Sequence, residues 1–251
     1  NSMSVKTFTS FGVQRSGTNF LTELITGNFK NIKDERYVWK HTPDTFQVIQ
    51  EYEKIQKHDH LHLVISKNPY KWIESMKRNP VDITVTIKGV KEVDSLFESE
   101  ILNCNTDLQW NKNTPQRNKS WYVEKLSIPG LMYFYNTFYN NWLNMKNEIK
   151  YWGIVRYEAL LNWDNTSMFL ENMADTFSLQ PKIQNNWTYP IQVHMSQSWH
   201  GISKPKKQDY LEQNKIKTLT NIEIETIYNN VDKELLKKLG YPTDKPISLI
   251  G

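Results

Sequence analysis

KTFTSFGVQRSGTNFLTELI, from Lys6 to Ile25, is the stretch whose reading decides the fold. Lys6 to Val13 is short, β-branched and aromatic and is interrupted only by Gly12, which predicts a buried strand. After Gly17 the apolar residues Phe20, Leu21, Leu24 and Ile25 fall at helical spacing, so a helix begins at the glycine. A strand, a tight loop and a helix aim backbone N–H groups and the positive end of a helix dipole at one point. Such a point binds phosphate or sulfate. Gly12-x4-Gly17 has the spacing of a Walker A loop, but Thr18 and Asn19 stand where that motif needs Lys and Ser/Thr. The absent hydroxyl is the one that holds Mg²⁺, and the absent lysine is the one that reaches the outer phosphates. Arg15 and Ser16 instead supply a fixed cation and a hydroxyl inside the loop. An ordinary βα turn can have the same composition, so the loop alone leaves both readings open.

Working outward, 251 residues suit one large domain or two small ones. A hydrophobic share of 38% and a mean hydropathy of −0.66 describe a soluble globular chain. No window is apolar for long enough to span a membrane. Asn1-Ser2-Met3 reads as an appendage ending in a start methionine, and no signal peptide is visible. The one cysteine, Cys104, excludes an internal disulfide framework and fits a reducing compartment, so a cytoplasmic location is expected. A net charge of +4 suits an anionic small ligand as well as nucleic acid.

Tyr37-Val38-Trp39-Lys40 reads as a brief second strand ended by His41-Thr42-Pro43, and Asp44 leads a helix carrying Phe46, Ile49, Tyr52 and Ile55. Leu61 to Ser66 is an almost continuously apolar strand, as expected when both faces of a sheet are covered. Pro69, Trp72, Ile73 and Met76 mark the next helix. Strands alternating with helices argue for parallel βαβ units. From about 80 to 130 the pattern weakens into an irregular insertion holding Trp110 and Trp121. A 3.6-residue stripe follows, through Leu131, Phe134, Tyr135, Phe138, Trp142, Met145 and Ile149, and reads as core. Trp152 to Tyr157 reads as another strand, with helices around 159–161 and 168–177. Residues 185–210 read as an exposed loop. The final helix opens on the capping box Thr220-x-x-Glu223 and closes at Gly240.

A second anion signal stands at the end of the Leu61–Ser66 strand, where Lys67 leaves the strand tip and Ser75 follows in the next helix. Ligands of open α/β sheets lie beyond the carboxyl ends of the strands, which is where Arg15 and Lys67 both fall. These residues resemble a known family. Gln14-Arg15-Ser16-Gly17-Thr18-Asn19-Phe20 is similar to the 5′-phosphosulfate loop of sulfotransferases that use 3′-phosphoadenosine-5′-phosphosulfate (PAPS). Lys67-Asn68-Pro69 through Ser75 resembles that family's 3′-phosphate motif, Arg156-Tyr157-Glu158-Ala159-Leu160-Leu161 its "RYEDLL", and Ile227 to Tyr241 its ending in Leu-Gly-Tyr. The four matches follow the family's order along nearly the whole chain.

The resemblance implies an α/β, three-layer P-loop-like fold with a central, mainly parallel sheet flanked by helices. It implies one sulfotransferase-like domain over 4–251. Arg15, Ser16, Gly17, Thr18 and Asn19 would cradle the 5′-phosphosulfate, with Phe20 stacking on adenine, while Lys67 and Ser75 would bind the 3′-phosphate. Lys67 stands where the family usually has arginine, which keeps the charge and loses the bidentate fork. Lys204 and Lys206, with Gly201 and Lys207, resemble the C-terminal cofactor lid. The implied reaction moves a sulfuryl group from PAPS to an acceptor hydroxyl, with adenosine 3′,5′-bisphosphate as product and no metal. Sulfuryl carries less charge than phosphoryl, so cations and backbone donors can stabilise its in-line transfer unaided.

The acceptor hydroxyl needs a base. His41 is the choice, with Arg15 and Lys40 as the catalytic cations, because an unperturbed imidazole titrates near neutral pH. His41 could instead be a histidine bonded within a Pro-containing turn. His194 and His200 are the next candidates. His58, His60 and His62 alternate along a strand without a further ligand at zinc spacing. Trp110, Trp121, Trp187 and Trp199 suit either stacking on sugars, which makes a carbohydrate or glycolipid hydroxyl the preferred acceptor, or packing. Two other readings stay open: a P-loop kinase of a nucleotide or small molecule, and a non-catalytic module binding nucleotide or nucleic acid. The kinase lacks its Walker lysine and an acid on Val64–Lys67 or Ile154–Tyr157. Nucleic acid is not the expected partner, since only Lys204–Lys207 clusters basic charge.

Overall fold

The computed structural model describes residues 5–56, 58–78, 128–189 and 212–251. Most of the irregular insertion, with Cys104, Trp110 and Trp121, lies outside the described residues. So do His194, Trp199, His200, Gly201, Lys204, Lys206 and Lys207.

Strand β1 (Thr7–Phe11) leads through the glycine loop into helix α1 (Thr18–Asn28). Short strands β2 (Phe29–Lys30) and β3 (Lys33–Asp34) precede α2 (Thr45–Ile55), β4 (His60–Ser66) and α3 (Pro69–Arg78). Helix α4 (Ile128–Asn144) leads to β5 (Tyr151–Arg156), a 3₁₀ turn at Glu158–Leu161 and α5 (Trp163–Phe177). Strands β6 (Gln180–Pro181) and β7 (Lys215–Ile216), helices α6 (Asn221–Asn230) and α7 (Lys233–Leu239), and strand β8 (Ile247–Ser248) follow among the described residues.

Four strands form one sheet in the order β3-β1-β4-β5, and every neighbouring pair is parallel. Thr7 stands opposite His60 and Phe11 opposite Val64, while Leu61 stands opposite Tyr151 and Ser66 opposite Arg156. Side chains alternate across a strand, so the two faces of β4 bury different residues. Leu61, Leu63 and Ile65 join Phe8, the α1 residues Phe20, Leu21, Leu24 and Ile25, and the α5 residues Leu170 and Met173. On the other face Phe11 and Val64 join Val48 and Tyr52 of α2, Trp72 of α3, and the aromatic stripe of α4. Each such side chain, taken fully from water, stabilises by about 1.5–3 kcal/mol. The chain is therefore α/β, a central parallel sheet flanked by helices, with a core on each face.

His60 and His62 lie on the second face, wholly buried. His60 bonds through Nδ1 to Thr7 Oγ1 at 2.8 Å and through Nε2 to Thr9 Oγ1 at 2.9 Å. His62 meets the carbonyl oxygen of Tyr151 through Nδ1 and the Tyr37 hydroxyl through Nε2. A carbonyl only accepts, so His62 carries its proton on Nδ1 and accepts from Tyr37. Burial pushes its pKa down to about 3 and keeps it neutral. Both histidines are thus parts of the sheet's packing.

Three expectations are corrected. Tyr37–Lys40 is not a strand: the neighbour of β1 on that side is Lys33–Asp34. Thr9 Oγ1 donates to the Glu35 carbonyl, and Val38 and Trp39 then turn into the core, so the chain leaves the ladder. It returns at Lys40, whose carbonyl accepts the Gly12 N–H at 3.1 Å. The final helix is two helices, because the Asp232 side chain accepts the Leu235 N–H and starts α7 anew. The capping box at Thr220 and the left-handed Gly240 stand as the spacing predicts. Residues 128–130, placed in the insertion from sequence, already belong to α4.

Candidate functional site

Chain order and sheet order together define one crevice. From β1 the chain moves outward to β3, then crosses back past β1 to β4, so the winding reverses between β1 and β4. In open α/β sheets this reversal point, at the carboxyl ends of the strands, is where ligands sit. Beyond β1 comes Gly12–Gly17, and beyond β4 comes Lys67.

The loop is built for close approach. A Cβ on Gly12 would fall 2.3 Å from Ser16 Oγ and 2.9 Å from the Ile65 carbonyl oxygen. Gly17 has φ +100°, and a Cβ there would fall 2.5 Å from Tyr157 Cδ2. Arg15, at φ 59°, is left-handed without being glycine, a conformation held where surrounding structure enforces it. Here Lys67 Nζ donates to the Arg15 carbonyl at 3.2 Å. Left-handed residues on both sides of Ser16 turn neighbouring N–H groups toward one concavity. Helix α1 then starts at Gly17 with no side-chain cap and no acidic residue in its first turn, and its first bond is Leu21 N–H to the Gly17 carbonyl. Its first N–H groups therefore point out of the helix end toward any bound anion.

Three cationic or titratable side chains converge on this loop. Lys67 is 3% exposed; its Nζ donates to Ser75 Oγ at 2.8 Å and lies 5.2 Å from the Tyr157 ring centre. The structure thus joins the lysine and serine that the sequence places eight residues apart. Lys40 Nζ donates to Asn19 Oδ1 at 2.7 Å, across the start of α1. His41, 4% exposed, has Nδ1 2.6 Å from the Gly12 carbonyl oxygen. Since that oxygen can only accept, Nδ1 carries the proton, and in the neutral ring Nε2 is the basic nitrogen.

Thr18 is buried at the helix start. Phe20 is a core side chain: it has no exposed surface, and Tyr157 and Tyr189 pack edge-on at 6.1 and 5.4 Å between ring centres. A face open to a purine is not what this arrangement offers. Trp187, one of the four irregular-segment tryptophans, packs on Phe29 as an anchor.

Glu158 and Tyr241 stand in two of the motifs, and the sequence alone assigns them no role. Glu158 accepts the Asn68 N–H at 2.7 Å and the Tyr241 hydroxyl at 2.8 Å, and Tyr241 also meets Ser66 Oγ at 3.0 Å. This buried network fixes the turn that carries Lys67, with Asn68 Oδ1 accepting the Tyr70 N–H at the start of α3. Trp72, which the pattern marks only as part of a helix, and Tyr139, which it leaves without a role, are buried and also brace the loop. The Val13 N–H reaches the Tyr139 hydroxyl at 3.4 Å, and Trp72 Nε1 donates to the Gln14 carbonyl at 2.5 Å. Helical spacing marks such aromatics as core and says nothing of where their polar ends bond.

The site's polar inventory fits an anionic ligand. The Ser16 hydroxyl, fully buried, faces Gly12 and the Tyr139 hydroxyl, and the Gln14 carboxamide is buried with neither atom bonded. Among the described residues no group of three or more His, Cys, Asp and Glu could hold a metal ion, and no helix is long and apolar enough to cross a membrane.

No protein-family model matches the chain, and neither a curated protein nor a solved structure matches it. Fold and site on their own define an α/β chain with a glycine loop and a buried lysine at the reversal point of its parallel sheet.

Proposed function

We propose that the chain is a sulfotransferase of P-loop-like fold, moving a sulfuryl group from PAPS to an acceptor hydroxyl, with a carbohydrate or glycolipid as the preferred acceptor class. The observation that carries this reading is the placement of the Gly12–Gly17 loop and Lys67 beyond the two strands between which the sheet reverses. The four-motif resemblance supports the same assignment. PAPS, when bound, supplies the activated sulfuryl group between its 5′-phosphate and the acceptor. Arg15, Ser16, Gly17, Thr18 and Asn19 would hold the phosphosulfate end, and Lys67 and Ser75 would hold the 3′-phosphate. Lys40, on Asn19, would add positive charge beside the helix start. His41, its tautomer set by the Gly12 carbonyl, takes the acceptor's proton on Nε2.

Thermal shift with adenosine 3′,5′-bisphosphate, ATP–Mg²⁺ and an oligonucleotide separates this reading from a kinase and from a nucleic-acid module. The bisphosphate alone should stabilise strongly, and transfer should persist in excess EDTA. An absolute Mg²⁺ requirement with ATP turnover would replace the reading by a kinase. Lys67→Ala should weaken bisphosphate binding by about 1.5–3 kcal/mol, the worth of a hydrogen bond to a charged group, and AMP binding by less, through the lost bond to the Arg15 carbonyl alone. Equal losses for both nucleotides would show that Lys67 does not read the 3′-phosphate.

A further inference from the structure

Gln14 is the least explained side chain in the loop. It is 1% exposed, yet neither Nε2 nor Oε1 has a hydrogen-bond partner. Buried polar groups are almost always bonded, because leaving a donor or acceptor dry forfeits its bond to water. Gln14 has little freedom to relieve this itself. Its carbonyl is held by Trp72 Nε1, Val13 before it by the Tyr139 hydroxyl, and Arg15 after it by Lys67. Both dry atoms of the carboxamide thus lie in the short loop at the sheet's reversal point.

We infer that the Gln14 carboxamide is a ligand contact, with Nε2 donating to an oxyanion in the loop and Oε1 accepting from a hydroxyl beside that oxyanion. The inference rests on reading the loop as an oxyanion site and deepens it. A phosphosulfate presents only acceptors at this point, so it satisfies Nε2 and would repel Oε1. Oε1 needs a hydrogen-bond donor, and in a transfer reaction the acceptor's O–H is that donor. Gln14 would then place the acceptor hydroxyl next to the group it receives, and selects for hydroxyl-bearing acceptors over those lacking a polar hydrogen.

Hydrogen phosphate imitates this pair in one ion, since it carries both an oxyanion and an O–H, whereas sulfate carries only the first. Both ions stabilise proteins generally by exclusion from the surface, so the readout is the difference between wild type and variant at equal salt. In wild type, phosphate should raise the melting temperature more than sulfate. Gln14→Met, of similar length and with no dry amide, should be at least as stable as wild type without ligand. Its response to both ions should shrink, and the preference for phosphate should vanish. Gln14→Glu, which keeps an acceptor but loses the donor and adds negative charge, should lose the response to both.

A ligand-free Gln14→Met protein that melts several degrees lower would overturn the inference, because the amide would then be structural. Unchanged ion responses in both variants would do the same. Equal responses of wild type to the two ions would remove the hydroxyl partner. The PAPS reading fails on a separate result, a wild type that ignores adenosine 3′,5′-bisphosphate while keeping its Gln14-dependent response to the inorganic ions.

Discussion

His41→Ala should lower the rate of sulfuryl transfer about 10²–10⁴-fold, the range for loss of one general base. The expectation comes from a single hydrogen bond. Nδ1 faces the Gly12 carbonyl oxygen at 2.6 Å, so the proton sits there and the lone pair on Nε2. Gly12 opens the anion loop, and its N–H is held by the Lys40 carbonyl, so loop and histidine move as one unit. Trp39, edge-on to His41 at 5.1 Å, further restricts the ring. A base held this way acts on the acceptor and leaves the nucleotide alone, so bisphosphate affinity should stay nearly constant. The acid limb of the pH–rate profile should disappear with the side chain, because a protonated imidazole cannot take a proton. His194→Ala and His200→Ala should keep that limb. Retention of more than about a tenth of the activity in His41→Ala would remove the assignment, being well short of the smallest loss expected for a base. His200 would be the next residue to test.

The parts of the fold that periodicity controls were legible in the chain. Leu61 to Ser66 is apolar throughout because the strand is covered on both faces, and the α4 stripe is aromatic at helical spacing because one side of that helix is core. What was not legible depended on bonds to distant residues. Tyr37–Lys40 has the composition of a strand, yet Val38 and Trp39 gain more by entering the core than by joining β1. Asp232 interrupts an otherwise helical run, with its N–H donating to Asn136 Oδ1 and its carboxylate accepting from Asn140 Nδ2, both on α4. Phe20 sits at the position that resemblance gives to adenine stacking, but Tyr189, far along the chain, closes over it. For the site, the glycine loop and the step from Lys67 to Ser75 were visible because both are local. The reversal of the sheet that brings them together is a property of strand order, which spacing does not reveal. The second strand of the ladder also lies elsewhere than expected, and His41 still reaches the crevice because the chain returns to Gly12 at Lys40.

Glu158→Ala should cost about 3–5 kcal/mol of stability, as expected when one partner is taken from a buried, charged hydrogen-bond network. The carboxylate is 3% exposed and serves three separate parts of the chain. Oε1 accepts the Asn68 N–H at the tip of β4, Oε2 accepts the hydroxyl of Tyr241 just after α7, and the 3₁₀ turn of Glu158 itself follows β5. Removing it leaves the Asn68 N–H dry and frees Tyr241, whose other bond is to Ser66. Lys67 loses a neighbouring negative charge as well, so bisphosphate binding should change along with stability. Glu158→Gln retains an acceptor for Asn68, and the Tyr241 hydroxyl can turn to accept from the new amide, so its loss should be smaller. The two variants also differ in pH dependence. Burial pushes the Glu158 carboxyl above its ordinary value, outweighing the hydrogen bonds from Asn68 and Tyr241 and the charge of Lys67 that pull the other way. A folded-state value raised above the unfolded one contributes stability that is full below about 4.5, the ordinary value, and is lost as pH rises through the folded value. In urea titrations across that window, wild type should lose stability with rising pH from this group, and Glu158→Gln should not. A Glu158→Ala protein as stable as wild type, or a Glu158→Gln protein that keeps the wild-type pH slope, would show that the network does not depend on this carboxylate.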